Sequence, residues 1–167
     1  MYGIQLMKST KLLMMALFFG TALAAPLANA STGFNLGANI AKTTTSGYGN
    51  SSDFGFTAGY DLNQSLGLEV GYESLMGYEM TMWSVSGLGR YQLTNHIHLL
   101  GRLGLAHWTE SPTGRHNASG TNPLLGLGLS YGLTPAMSIR TEYQFVPNSG
   151  GLGTSLDTLL IGINYRF

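Results

Sequence analysis

Hydrophobic and polar residues alternate with a period of two along most of this chain. In the C-terminal segment "LDTLLIGINYRF" the apolar residues of one parity are Leu159, Ile161, Ile163, Tyr165 and Phe167. The other parity carries polar or small residues, with Leu160 as an apolar exception. Successive side chains of a β-strand point to opposite faces, so this alternation predicts a strand with one apolar face and one polar face.

Eight segments of this kind follow one another, separated by turn signals. They cover residues 33–42, 53–61, 66–73, 83–93, 96–108, 122–133, 136–145 and 156–167. Most are about ten residues long, which is the length that a tilted strand needs to cross a membrane. Polar residues interrupt every apolar run after residue 30 within a few positions, so we expect no transmembrane helix there.

Two structures would satisfy the alternation: a soluble β-sandwich and a barrel in an outer membrane. The polar faces hold glycine and serine more often than lysine or glutamate, which suits a narrow barrel interior. Tight turns such as "LTN" and "LTP" alternate with longer polar segments such as "TESPTGRHNASGT", and tyrosines lie at strand ends. The sequence therefore predicts an all-β fold, an eight-stranded antiparallel up-and-down transmembrane β-barrel.

The N-terminal residues have the pattern of a secretory signal peptide. Lys8 and Lys11 precede the apolar run "LLMMALFFGTALA", and Ala28 and Ala30 form an Ala-x-Ala cleavage site. A membrane anchor helix is the alternative, but the run falls short of the roughly 20 residues needed to cross a bilayer. We therefore expect a cleaved signal peptide over residues 1–30 and a single barrel domain over residues 31–167.

Composition supports a membrane location and excludes some functions. Eight basic and eight acidic residues cancel, which argues against nucleic-acid binding. Charged residues make up 10% of the chain, whereas soluble domains have about 25%. The chain has no cysteine and therefore no disulfide framework. An exported chain with so little charge needs an apolar environment for its surface.

Candidate catalytic and metal-binding groups are few. The segment "HNAS" contains His116 and Ser119 within a predicted loop, where the fixed geometry of a nucleophile and its base is lacking. His96 and His98 share one face of a strand, but further metal ligands are not apparent, so we expect them to line the lumen. The sequence thus predicts no catalytic residues, no metal site and no cofactor.

The order of strands and turns resembles the transmembrane domain of the outer membrane protein A family. The resemblance is carried by "NPLLGLGLSYGLTPAMSIRTEYQF", by the terminal "LLIGINYRF" and by "GYDLNQSLGLEVGYE". It implies an eight-stranded barrel whose aromatic C-terminus, with Ile163, Tyr165 and Phe167, is the signal read by the barrel assembly machinery. Full-length members carry a peptidoglycan-binding domain, which has no counterpart before Phe167. We therefore expect a small stand-alone barrel.

Six charged residues fall on polar faces and are predicted to point into the barrel: Glu69, Glu73, Arg90, Arg102, Arg140 and Glu142. Ionisable groups enclosed at membrane depth are costly unless they are paired. The resemblance implies that Glu69 pairs with Arg140 and can switch to Arg90, which would gate a narrow pore. Ser130 replaces the acid that normally partners the position of Arg90. A static charge network that fills the lumen is therefore favoured over a gate.

These observations predict an outer membrane protein with a mainly structural role, which supports membrane integrity and makes surface contacts through its loops. One alternative is a narrow, low-conductance pore gated by the interior charges. A second alternative is a lipid-modifying enzyme of the outer membrane, although we expect no enzymatic activity. The expected partners are outer-membrane lipid and lipopolysaccharide, the barrel assembly machinery and a surface ligand of the extracellular loops, and we expect a monomer.

Overall fold

The computed structural model describes residues 32–45, 49–111, 118–149 and 154–167. These residues form eight strands: β1 (Gly33–Thr45), β2 (Gly49–Asp61), β3 (Leu66–Leu75), β4 (Met80–Gln92), β5 (Ile97–Glu110), β6 (Ala118–Gly132), β7 (Met137–Ser149) and β8 (Thr154–Arg166). A short 3-10 helix, Met76–Tyr78, joins β3 to β4. The predicted signal peptide, with Ala28 and Ala30 at its cleavage site, lies outside the described residues. Within the described segments, no helix has the length and apolar character that crossing a membrane would require.

Each strand pairs antiparallel with its neighbours, and the sheet closes on itself. The first strand pairs with the last, so that Ile40 lies opposite Ile161 and Leu36 lies opposite Tyr165. The order around the barrel is β1-β2-β3-β4-β5-β6-β7-β8. Closure leaves no free edge, and lipid could not satisfy the hydrogen-bonding groups of such an edge. The predicted all-β, eight-stranded up-and-down barrel is thus confirmed.

The outer surface of the barrel carries the apolar parity of each strand. Its exposed large side chains include Phe34, Ile40, Val85, Leu103, Leu127 and Ile161. Aromatic pairs lie near one end: the rings of Phe34 and Tyr60 are 5.0 Å apart, as are those of Tyr165 and Phe167. An apolar outer band flanked by aromatic side chains is typical of a barrel in a lipid bilayer.

The two ends of the barrel differ in how their strands are joined. At one end, which we call the turn end, the three connections span residues 62–65, 93–96 and 133–136. Their side chains fix the chain reversal: Thr94 Oγ1 accepts a hydrogen bond from the backbone N–H of Ile97 at 3.1 Å, and Thr134 Oγ1 accepts one from that of Met137 at 2.9 Å. We call the opposite end the loop end.

At the loop end the strands extend further than the sequence predicts. Residues 49–52 and 118–121 belong to β2 and β6, although the alternation assigned them to loops. The pairing simply continues, since Thr43 lies opposite Ser51 and Thr109 lies opposite Ser119. Backbone hydrogen bonds do not depend on side-chain polarity, so a polar sequence at a strand end does not stop the ladder.

The interior at the loop end is partly apolar, although the sequence predicts small and polar residues there. A buried cluster occupies one side of the lumen here, and buried polar residues of β1 and β2 occupy the other. We call the cluster the apolar plug, and it contains Leu75, Met80, Met82, Ala106, Trp108, Leu124, Val146 and Leu156. All eight lie on the inward-facing parity of their strands. The inward face is therefore more apolar than the sequence predicts, and most of its apolar residues lie near the loop end.

Candidate functional site

Four charged side chains meet in the middle of the lumen, below the apolar plug. Glu69 comes from β3, Arg102 from β5, and Arg140 and Glu142 from β7. All four are almost completely buried, with exposed fractions of 1–5%. We call this group the ion quartet. Its two acids and two bases balance formally, as enclosed charges require.

The ion quartet is connected by short contacts. Arg102 Nη2 lies 2.6 Å from Glu69 Oε1, and Arg102 Nε lies 2.5 Å from Glu142 Oε1. Arg140 Nη1 lies 2.9 Å from Glu69 Oε2, whereas Arg140 Nε lies 3.7 Å from Glu142 Oε2. Arg102 also donates from Nη1 to Ser86 Oγ at 2.7 Å. Each acid therefore contacts both bases, and Arg102 is the most fully bonded member.

Small residues on the inner face make room for the ion quartet. Gly126 lies opposite Arg102 in the pairing of β5 with β6. A Cβ atom at Gly126 would come within 3.0 Å of Arg102 Cβ and within 2.5 Å of Glu142 Oε1. A Cβ at Gly71 would likewise come within 2.6 Å of Ser84 Oγ. Glycine on the inward face thus allows the long charged side chains to cross the lumen.

Arg90 is not a member of the ion quartet. Its Nη1 lies 2.6 Å from Asp61 Oδ1, and Arg166 Nε lies 2.7 Å from Asp61 Oδ2. Asp61 is 1% exposed and also accepts a hydrogen bond from Asn35 Nδ2 at 3.1 Å. Glu69 therefore contacts Arg102 and Arg140 in this structure, and Arg90 has a separate acidic partner near the turn end.

The sequence analysis missed three charged residues on the inward parity: Asp53, Asp61 and Arg166. The predicted strand segment 53–61 ends at Asp61, and its alternation puts Asp61 on the inward parity. Asp61 shares that parity with Thr57 and Gly59, and the structure places it at the end of β2. The same alternation that identified the other inward charges could therefore have identified Asp61 as the partner of Arg90.

Glu73 is also inward and buried, as its parity predicts. It lies one inward position beyond Gly71 on β3, towards Leu75 of the apolar plug. Among the described residues it takes part in none of the ion pairs. Of the six predicted interior charges, four therefore form the ion quartet, Arg90 pairs with Asp61, and Glu73 remains apart.

The residues of the predicted assembly signal form the end of β8. Ile163 is exposed on the outer face, and the Tyr165 and Phe167 rings contact each other edge to face. The backbone N–H of Phe167 donates to the carbonyl oxygen of Phe34 at 2.9 Å. The C-terminal residue is thus held against the first strand, and its role as an assembly signal remains a prediction.

The histidines have different surroundings. The ring of His96 stacks on that of Tyr131, with centroids 6.1 Å apart. His98 lies on the inner face of β5, opposite Ser130. Of the "HNAS" segment, His116 lies outside the described residues. In the part of the chain that the structure describes, no group of three or more potential ligands could hold a metal ion.

Comparisons with known proteins agree with this geometry. Residues 12–167 match the family model described as "Outer membrane protein beta-barrel domain". Outer membrane protein A of Escherichia coli O157:H7 is 32% identical over 134 residues, which cover 68% of this chain and 38% of that protein. Outer membrane protein A of Klebsiella pneumoniae is 30% identical over 139 residues, which cover 68% of this chain and 40% of that protein. The chain thus spans about two fifths of the length of these curated relatives.

Solved structures share the fold. The N-terminal β-barrel domain of Pseudomonas aeruginosa OprF is 15% identical, with a TM-score of 0.61 over 78% of this chain and 97% of that one. Ail, the attachment invasion locus protein of Yersinia pestis, is 19% identical, with a TM-score of 0.58 over 84% and 100%. Because the family model covers nearly the whole sequence, the protein belongs to the OmpA-like family of outer membrane β-barrels and resides in the outer membrane.

Proposed function

We propose that this protein is a structural barrel without enzymatic activity, which supports the integrity of the outer membrane and contacts surface ligands through its loops. The observation that carries the proposal is the filling of the lumen. The ion quartet crosses the middle, and the apolar plug lies beyond it towards the loop end, beside buried polar residues such as Thr43, Ser51 and Asp53. An interior packed in this way favours a membrane-embedded scaffold over a channel.

The ion quartet and the apolar plug would oppose ion passage for different reasons. An ion that reached the quartet would have to displace contacts of 2.5–2.9 Å between buried opposite charges. An ion that passed the quartet would then enter the apolar plug, where Leu124 and Ala106 are at most 1% exposed. Moving a charge into such surroundings costs far more than thermal energy. A closed lumen is the expected resting state.

The competing function is a narrow pore gated by the interior charges. One observation favours it: the longest contact of the quartet is the 3.7 Å between Arg140 Nε and Glu142 Oε2, and Arg140 also lines a cavity of the lumen near the turn end. Rearrangement there would open the quartet first. The apolar plug would still have to move, so the pore requires two coupled changes.

Planar-bilayer recordings test the closed lumen. We expect the wild-type protein to give no single-channel currents when its folded state is verified by heat-modifiable gel mobility. A double variant, Glu69→Ala with Trp108→Ala, removes one member from each layer and serves as the opened control. Reproducible currents from the wild type that are unchanged in a Glu69→Gln variant would contradict the packed lumen. Currents altered by that variant would favour the charge gate.

Cell-envelope assays test the structural role. A strain that lacks the protein is expected to take up a large antibiotic or a detergent more readily than its parent. Complementation with the wild type and with the conservative variant Glu69→Asp should both restore resistance. Mass analysis of lipid A in overexpressing cells addresses the enzymatic alternative, and a new lipid A species would overturn the proposal.

A further inference from the structure

The lumen has a cavity at the turn end that the closed scaffold does not use. It has a volume of about 570 Å³, and its lining includes Asp61, Arg90, His98, Arg140, Asn164 and Arg166. Arg140 of the ion quartet and Leu100 line it and are buried, so they form its inner wall. Because short turns of outer-membrane barrels face the periplasm, this cavity opens towards the periplasm.

The charges that line the cavity do not balance. Arg140 is compensated within the ion quartet by Glu69 and Glu142. Arg90 and Arg166 share one acid, Asp61, whose two oxygens each take one guanidinium. Asp61, Arg90 and Arg166 together therefore carry a net charge of +1. Enclosure by low-dielectric walls strengthens the field of such an excess charge.

Among the described residues, the two guanidinium groups contact Asp61 through one nitrogen each, so each keeps further N–H donors. A guanidinium has five N–H donors, and Asp61 is contacted by Nη1 of Arg90 and by Nε of Arg166. The side chain of Arg90 is 12% exposed and that of Arg166 is 34% exposed, so both reach the cavity while most of each side chain is held in place. Arginine forks held in this manner match the oxygen spacing of phosphate, sulfate and carboxylate groups.

We propose that the turn-end cavity binds a small oxyanion from the periplasm, held by Arg90 and Arg166. The anion supplies the negative charge that would balance the second arginine, since Asp61 balances only one. It accepts hydrogen bonds from the N–H groups of both arginines that do not contact Asp61. Amide and hydroxyl groups of the lining, such as Asn164 and Ser130, supply further donors. Asp61 has an opposing effect: it orients the arginines and also limits the affinity by its own negative charge.

Nuclear magnetic resonance of the protein in phosphatidylcholine nanodiscs tests the site, since both ends of the barrel are then accessible. Inorganic phosphate is added at constant ionic strength, with chloride as the balancing anion. We expect saturable shifts of the side-chain N–H resonances of Arg90 and Arg166. The resonance of Arg102 should not move, because its guanidinium is bonded within the quartet.

Two substitutions should change the affinity in opposite directions. Arg166→Gln removes one fork but keeps the contact between Arg90 and Asp61, and we expect roughly tenfold weaker phosphate binding because charge-assisted hydrogen bonds are lost. Asp61→Asn removes the competing charge, and we expect binding to become tighter, by about tenfold. The matched control is Lys42→Gln, which removes one positive charge from an exposed position on β1.

The variants also make the proposal refutable. Heat-modifiable mobility identifies any variant that fails to fold, and Arg166→Gln alone then suffices for the test. The absence of a saturable phosphate shift in the folded wild type would overturn the proposal, as would equal affinities of wild type and Asp61→Asn. A second arm replaces a third of the lipid by phosphatidylglycerol; shifts that appear there without added phosphate would identify a lipid headgroup as the source of the anion.

Discussion

Replacing Glu69 by alanine is the most direct test of the ion quartet. Glu69 is 1% exposed and receives contacts of 2.6 Å from Arg102 and 2.9 Å from Arg140. After its removal, Arg102 keeps Glu142 and Ser86, whereas Arg140 keeps only the 3.7 Å contact to Glu142. Breaking a buried ion pair from one side costs about 3–5 kcal/mol. We expect Glu69→Ala to lower the free energy of unfolding by that amount.

The partner substitution should cost less. In Arg140→Ala both acids keep a short contact to Arg102, Glu69 at 2.6 Å and Glu142 at 2.5 Å. A hydrogen bond to a charged group contributes about 1.5–3 kcal/mol, which is the expected cost. The double variant Glu69→Ala with Arg140→Ala should cost about 1–3 kcal/mol less than the sum of the single variants, since contacting residues couple by such amounts.

Urea unfolding in lipid vesicles measures all four proteins of this cycle. Glu69 with Arg90 provides the matched control cycle, because Arg90 contacts Asp61 instead. Those two substitutions should add to within about 0.5 kcal/mol. Coupling near zero for Glu69 with Arg140 would refute the quartet geometry. Coupling found for Glu69 with Arg90 would instead support the switch that the family resemblance implies.

Three further predictions concern the two faces and the two ends of the barrel. Leu127→Arg on the outer face should destabilise the barrel in vesicles by roughly 2–4 kcal/mol if Leu127 lies near the bilayer midplane. Gly126→Ala should cost about 1–3 kcal/mol in the same assay, because the added Cβ meets Arg102 and Glu142. Trypsin added to intact cells should cut after Arg115, which follows β5 and precedes β6 in the sequence.

Each of these has a distinct contrary result. Unaltered stability of Leu127→Arg would mean that this residue does not face lipid. A Gly126→Ala variant as stable as the wild type would show that the space around Arg102 is larger than the structure indicates. Trypsin cleavage after Arg115 only in permeabilised cells would place the loop end in the periplasm and invert the topology.

The barrel could be predicted because each strand is recognisable from the alternation within its own segment of sequence. Alternation over residues 66–73 fixes which side chains of β3 share a face, and the apolar face then has to meet lipid or a core. Low charge and short turns decide in favour of lipid. Antiparallel order follows from short connections, and closure follows from the need to pair the edges of the sheet. None of these steps requires knowledge of contacts between distant residues.

The boundaries of the strands were less predictable. The polar residues of the loop end, such as Thr44 and Ser52, resemble a loop in composition, yet they belong to paired strands. How far a strand extends depends on backbone hydrogen bonds to a neighbouring strand that is already in register. A single-sequence pattern contains no information on how far that neighbour extends.

The sequence by itself determined which charges point inward, and only the tertiary structure decided which of them meet. Glu69 is separated by 33 positions from Arg102 and by 71 from Arg140. A period of two gives the face of each residue, but its height along the barrel axis depends on the stagger between strands. That stagger brings Arg102 to Glu69, leaves Arg90 with Asp61, and gathers eight inward apolar residues into the apolar plug. Residues far apart in the chain contact each other only once the sheet has closed.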